Sequence, residues 1–77
     1  MKWHLRDFDG AISDYSQAIR LAPEYAAAYN NRGFAREAIG DNEMAVWDFI
    51  AAYRLAPDNK RFFNKLVDLG LILVGPQ

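Results

Sequence analysis

A chain of 77 residues that is 52% hydrophobic and 25% charged has the composition of a packed unit with one small core, which excludes an intrinsically disordered segment. Nine basic against ten acidic side chains give a net charge of −1, so no general basic field gathers nucleic acid or an anionic membrane surface, and neither is expected as a partner. Cysteine is absent, which removes disulfides, thiolate catalysis and Cys-ligated zinc and leaves a cytoplasmic setting as the default expectation. The opening MKWHLRDFDG carries charges where a secretory leader needs an apolar run. The longest apolar run, LILV at residues 71–74, falls far short of the ~20 residues a membrane span needs.

In chain order, residues 1–5 read as the last turn of a helix whose earlier part is missing. Arg6, Asp7 and Phe8 fall at a turn, and Asp9 opens the next helix, where an acidic side chain meets unpaired N–H groups and the positive end of the helix dipole. Ala11, Ile12, Tyr15, Ala18, Ile19 and Ala22 recur at three- and four-residue steps, giving an amphipathic helix that Pro23 stops. A second helix is predicted from about residue 24 or 25 to 39, with Gly40 and Asp41 as turn residues. A third, over 43–56, carries Ala45, Phe49 and Ala52 as a small-large-small stripe and ends at Pro57. Asp58 and Asn59 cap a fourth, from Lys60 to about residue 74, with Gly70 in mid-helix and Leu66, Val67, Leu69, Leu71, Ile72, Leu73 and Val74 around most of its surface.

The first and third of these helices are copies. AISDYSQAIRLAP at 11–23 and AVWDFIAAYRLAP at 45–57 share Ala11/Ala45, Asp14/Asp48, Ala18/Ala52, Arg20/Arg54, Leu21/Leu55, Ala22/Ala56 and Pro23/Pro57, each pair 34 positions apart. That period, with its A-x₃-F motif and terminal proline, resembles the tetratricopeptide repeat family. The resemblance implies an all-α fold of antiparallel helical hairpins stacked as a short right-handed superhelical repeat, an α-solenoid. It divides the chain into a partial first repeat at 1–23, a complete repeat at 24–57 and a partial third repeat or terminal helix at 58–77. Tyr29 and Gly33 match the family pattern, with small Ala45 expected to face Gly33, whereas Arg32 and Arg36 depart from its Leu and Tyr. Tyr15, Tyr29, Phe49 and Phe63 take core positions.

The family binds proteins, so the resemblance implies a protein-binding scaffold whose partner the sequence does not name. The first helices of successive repeats line its concave groove, and carried over here they offer Asn30, Asn31, Phe34, Glu37, Arg61, Asn64 and Lys65, with Ala27, Ala38, Asp68, Leu71 and Ile72 on the same face. Asn31, Arg61 and Lys65 also suit a clamp for a terminal carboxylate. The rest of that clamp would come from the mostly absent preceding helix. Two unfinished ends lead to a second expectation, a homo-oligomer in which Ile12, Tyr15, Ile19, Trp47, Leu69, Leu71, Ile72 and Leu73 form a self-association surface.

No catalytic chemistry stands out. His4 is the only histidine and has no ligand cluster around it, so neither a metal nor a cofactor is expected. Ser13 and Ser16 read as exposed helix residues away from any base or Gly-rich elbow, and no phosphate-cradling loop occurs. Asp14 and Asp48 repeat at one period, as structural residues do and a catalytic pair does not. Lys60, Arg61 and Lys65 interleave with Phe62 and Phe63, but Asp58 and Asp68 dilute the patch and Phe63 is claimed by the core, so a nucleic-acid platform is not expected.

Overall fold

A computed structural model describes residues 7–72 of the chain. The described residues form four helices: α1 (Phe8–Leu21), α2 (Ala26–Ala38), α3 (Asn42–Leu55) and α4 (Lys60–Asp68). The expectations for residues 1–5, with His4, and for Leu73 and Val74 lie outside the described residues. Consecutive helices pack on one another, joined by links of at most four residues, so each runs antiparallel to the next. The fold is an all-α helical repeat.

Local chemistry sets the boundaries. The N-cap of α1 is Asp7, whose Oδ1 accepts the Gly10 N–H at 3.0 Å, so the helix starts at Phe8 and the expectation that Asp9 opens it is corrected. Asp9 sits in the first turn, where it still meets the helix dipole. Asp41, expected in the turn, caps α3 through the Met44 N–H, as Asn59 caps α4 through the N–H groups of Arg61 and Phe62. Both α1 and α3 end on an alanine before proline: Ala22 (φ −140°, ψ 83°) and Ala56 (φ −140°, ψ 71°) are driven out of the helical region by the ring that follows.

The core lies between α2, α3 and α4 and holds Ala28, Ala35, Ala45, Phe49, Ala52, Phe62 and Leu66. Phe49 is the large residue at its centre, and its ring lies nearest Gly33: a Cβ on Gly33 would lie 2.8 Å from Cε1 of that ring. The ring of Phe49, which the sequence did not pair with Gly33, explains the glycine by direct contact. Phe62 is buried and Phe63 half-buried, its ring tilted on Tyr53 at 6.2 Å between centroids. Tyr15 and Tyr29 are half-buried as well.

The last helix is shorter than its apolar residues suggested. It ends at Asp68, because Gly70 takes φ +79° and its neighbours close a turn, with Leu71 N–H donating to the Leu66 carbonyl at 2.9 Å and Gly70 N–H to that of Val67 at 3.0 Å. The chain thereby folds back, and Leu69 and Ile72 pack against the Ala45–Phe49–Leu66 cluster. Gly70 is a helix stop, and of the apolar residues expected around a longer helix Leu69 and Ile72 pack onto the core at this turn while Leu71 is exposed.

Candidate functional site

Helices α2 and α4 run along one face and leave a recess of about 480 Å³ between them, lined by Asn30, Asn31 and Phe34 from α2 and by Arg61, Asn64, Lys65 and Asp68 from α4. Six of the seven groove residues expected from the sequence line this one recess, which arises because the 34-residue period places the same helical face of both elements on the same side. Phe34 is 47% exposed at its wall while its ring meets Phe49 edge-on, 5.1 Å between centroids, so it is both groove surface and core lid.

Glu37, the seventh residue, stands beside the recess and binds across it. Its carboxylate accepts from Lys65 Nζ at 3.2 and 3.3 Å, and that ammonium also lies 4.9 Å from the Phe34 ring centroid and 4.8 Å from that of Phe49. Lys65 is therefore committed inside the molecule. Arg61 is exposed and, among the described residues, forms no ion pair, which makes it the cation this face offers to a ligand. Asn31 and Asn64 are exposed amides able both to donate and to accept. Of the other inner-face residues, Ala27, Ala38 and Leu71 are exposed and Ile72 is half-buried. With Phe62 buried, the pair of stacking rings considered beside Arg61 does not face solvent.

Sequence reasoning missed the use of the two arginines that break the family pattern. Asp48 is only 2% exposed and accepts from Arg32 Nη2 at 2.7 Å, Arg32 Nε at 3.1 Å and Arg36 Nη1 at 2.9 Å. Arg32 also donates to Ser16 Oγ at 3.0 Å, so Ser16 is half-buried between helices instead of exposed, while Ser13 is exposed as expected. One guanidinium thus ties α1, α2 and α3 together. The available signal was the pair of arginines four positions apart on one helix, matched by a lone acidic residue on the face of the next.

The residues of the expected self-association surface separate. Ile12, Tyr15 and Ile19 are half-buried along α1, Trp47 is 62% exposed on α3, and Leu71 is exposed after α4, whereas Leu69 and Ile72 already cover the chain's own core. Leu73 lies outside the described residues. No helix of the described residues is long and apolar enough to cross a membrane.

Comparison with known proteins matches this architecture. A family model described as "TPR repeat" matches residues 7–40, and one described as "Tetratricopeptide repeat" matches 26–59. The chain is 41% identical over 51 residues to "Protein FlbA" of Caulobacter vibrioides, covering 66% of this chain and 9% of that one. It is 37% identical over 68 residues to "Tetratricopeptide repeat protein 36" of Danio rerio (87% and 36%), and 39% identical over 64 residues to "RNA polymerase II-associated protein 3" of Rattus norvegicus (83% and 10%). The chain thus spans 36% or less of the length of these relatives. No solved structure gives a significant match. With the 34-residue period, helical hairpins joined at Pro23 and Pro57, and two overlapping family matches, the chain belongs to the tetratricopeptide repeat family.

Proposed function

We propose that the chain works as a protein-interaction module that takes a partner peptide into the recess between α2 and α4, and that it carries out no catalysis, in keeping with a family of repeat scaffolds. A cytoplasmic setting belongs to the same proposal. The observation that supports it is the recess itself, in which amides at Asn30, Asn31 and Asn64 surround the exposed Arg61 beside the apolar edge of Phe34. Amides can satisfy the main chain of an extended peptide, Arg61 can pair with a carboxylate, and Phe34 gives a neighbouring side chain an apolar contact. Lys65 contributes less to such a ligand, since Glu37 already holds it. An acidic peptide ending in a free carboxylate is the matching probe. Fluorescence anisotropy should show saturable binding that Arg61→Ala and Asn31→Ala each weaken by about fivefold or more. Binding unaffected by either substitution would sink this reading.

A second reading, a homo-oligomeric structural role, draws support from the exposure of Trp47 and Leu71 and from the half-covered apolar side of α1. Light scattering across a concentration series separates the two: a stable dimer weakened by Trp47→Ser favours association, and a monomer that binds peptide favours the recess.

A further inference from the structure

The charges of α4 are placed against its own dipole. In α1 and α3 the first turn holds an acid, Asp9 or Glu43, and the last turn an arginine, Arg20 or Arg54, which is the arrangement a helix dipole favours. In α4 the order is reversed: Lys60 and Arg61 open the helix with no acid in its first turn, and Asp68 is its last residue. Lys65, the cation of its last turn, is already neutralised by Glu37 of α2. The repeat does not require these charges, since the positions of Arg61 and Asp68 one period earlier are Ala27 and Phe34.

Arg61 and Asp68 are both exposed, form no ion pair among the described residues, and line the same recess between α2 and α4. Seven residues make nearly two full turns, so the two side chains leave one face of α4 about 10 Å apart along its axis. Each charge adds to the dipole end it stands on, positive at Arg61 and negative at Asp68. The recess therefore carries both signs, one at each end, in place of a uniformly basic surface. Asn64 lies between them with an amide able to donate and to accept.

We propose that this recess selects an extended segment of mixed charge: a carboxylate held by Arg61 and, three or four residues along the ligand, a lysine or arginine held by Asp68. The spacing follows from the rise of an extended chain, about 3.1–3.4 Å per residue, three of which cover the distance between the two charges. A strongly acidic segment is disfavoured, because its second carboxylate meets Asp68 while Lys65 is held by Glu37. This charge selection rests on the reading of the recess as a peptide site and adds the chemistry of the partner to it.

The probes are two dye-labelled peptides, GSGSKAGD with a free C-terminal carboxylate and GSGSDAGK as the amide, which offer the two charges in opposite chain directions. Each is compared with versions carrying glutamine or glutamate in place of its lysine, by anisotropy at low salt with the whole chain. The better lysine peptide should bind about threefold tighter than its glutamine version and about tenfold tighter than its glutamate version. Asp68→Asn should abolish the preference for lysine over glutamine, and Asp68→Lys should invert the order so that the glutamate version binds best. Both substitutions relieve an unfavourable charge at the end of α4, so the urea midpoint should hold or rise, and a lost preference is then not a loss of folding. Arg61→Ala should weaken every version. The proposal is overturned if the native chain binds a glutamate version best, or if the order of affinities ignores Asp68→Lys. Should Arg61→Ala still weaken binding in that case, the peptide site stands and only its charge selection falls. No saturable binding of any version at millimolar peptide, or binding that ignores Arg61, removes the site and the proposal together.

Discussion

Asp48 is a charge almost fully removed from water, and such a charge is tolerable only because three guanidinium hydrogen bonds surround it. Taking it away leaves Arg32 and Arg36 unpaired, at a cost of about 3–5 kcal/mol. A single core of this size supplies only about 3–5 kcal/mol in all. Asp48→Ala should therefore leave the chain largely unfolded at 25 °C by far-UV circular dichroism. Combining it with Arg32→Leu and Arg36→Tyr, the residues the family pattern has there, should restore most of the helical signal, because the polar network is then replaced whole and not broken. The neighbouring contact makes a smaller claim. Gly33→Ala pushes a methyl group into the Phe49 ring, and overpacking of about 1–3 kcal/mol outweighs the roughly 1 kcal/mol of helix propensity that alanine adds. Its urea midpoint should fall, and the loss should shrink in a Phe49→Leu background.

The four helices and their order were legible from the three- and four-residue apolar steps, the prolines and the period, since these signals are local or repeat. Their ends were less so. Asp7 and Asp9 are equally good caps on paper, and only the turn that brings Asp7 to the Gly10 N–H decides between them. Gly70 read as an interior residue because apolar side chains continue past it, yet Ile72 reaches the core through a reversal while Leu71 stays exposed. At φ +79° an alanine is strained by about 1 kcal/mol, so Gly70→Ala should lower stability by that much. Carbon chemical shifts should show either the same strained turn or an α4 lengthened beyond Asp68 with Ile72 drawn off the core. The groove register was legible for the same reason as the helices, the period fixing which faces coincide. What the period does not carry is pairing between side chains: Glu37 and Lys65 lie 28 positions apart and meet only once α2 and α4 are side by side.

Across the whole molecule the helices are not equally secured. Every residue of α1 retains some exposure, whereas α3 buries Ala45, Asp48, Phe49 and Ala52. The same repeat sequence is thus held twice with different strength, because α3 has helices on both sides and α1 is covered by α2 alone among the described elements. The joints differ in kind too. The Ser16–Arg32 contact between α1 and α2 becomes Ile50 and Leu66 one period on, so one junction is polar and the other apolar. Native-state hydrogen exchange should expose this gradient, with amides of α1 opening at a lower free energy than those of α3, which follow global unfolding. Ser16→Ala, by loosening only the polar joint, should speed exchange in α1 more than in α3 or α4. Uniform exchange through all four helices would mean instead that the chain opens as one unit and that the period, not the cover, sets the stability of each helix.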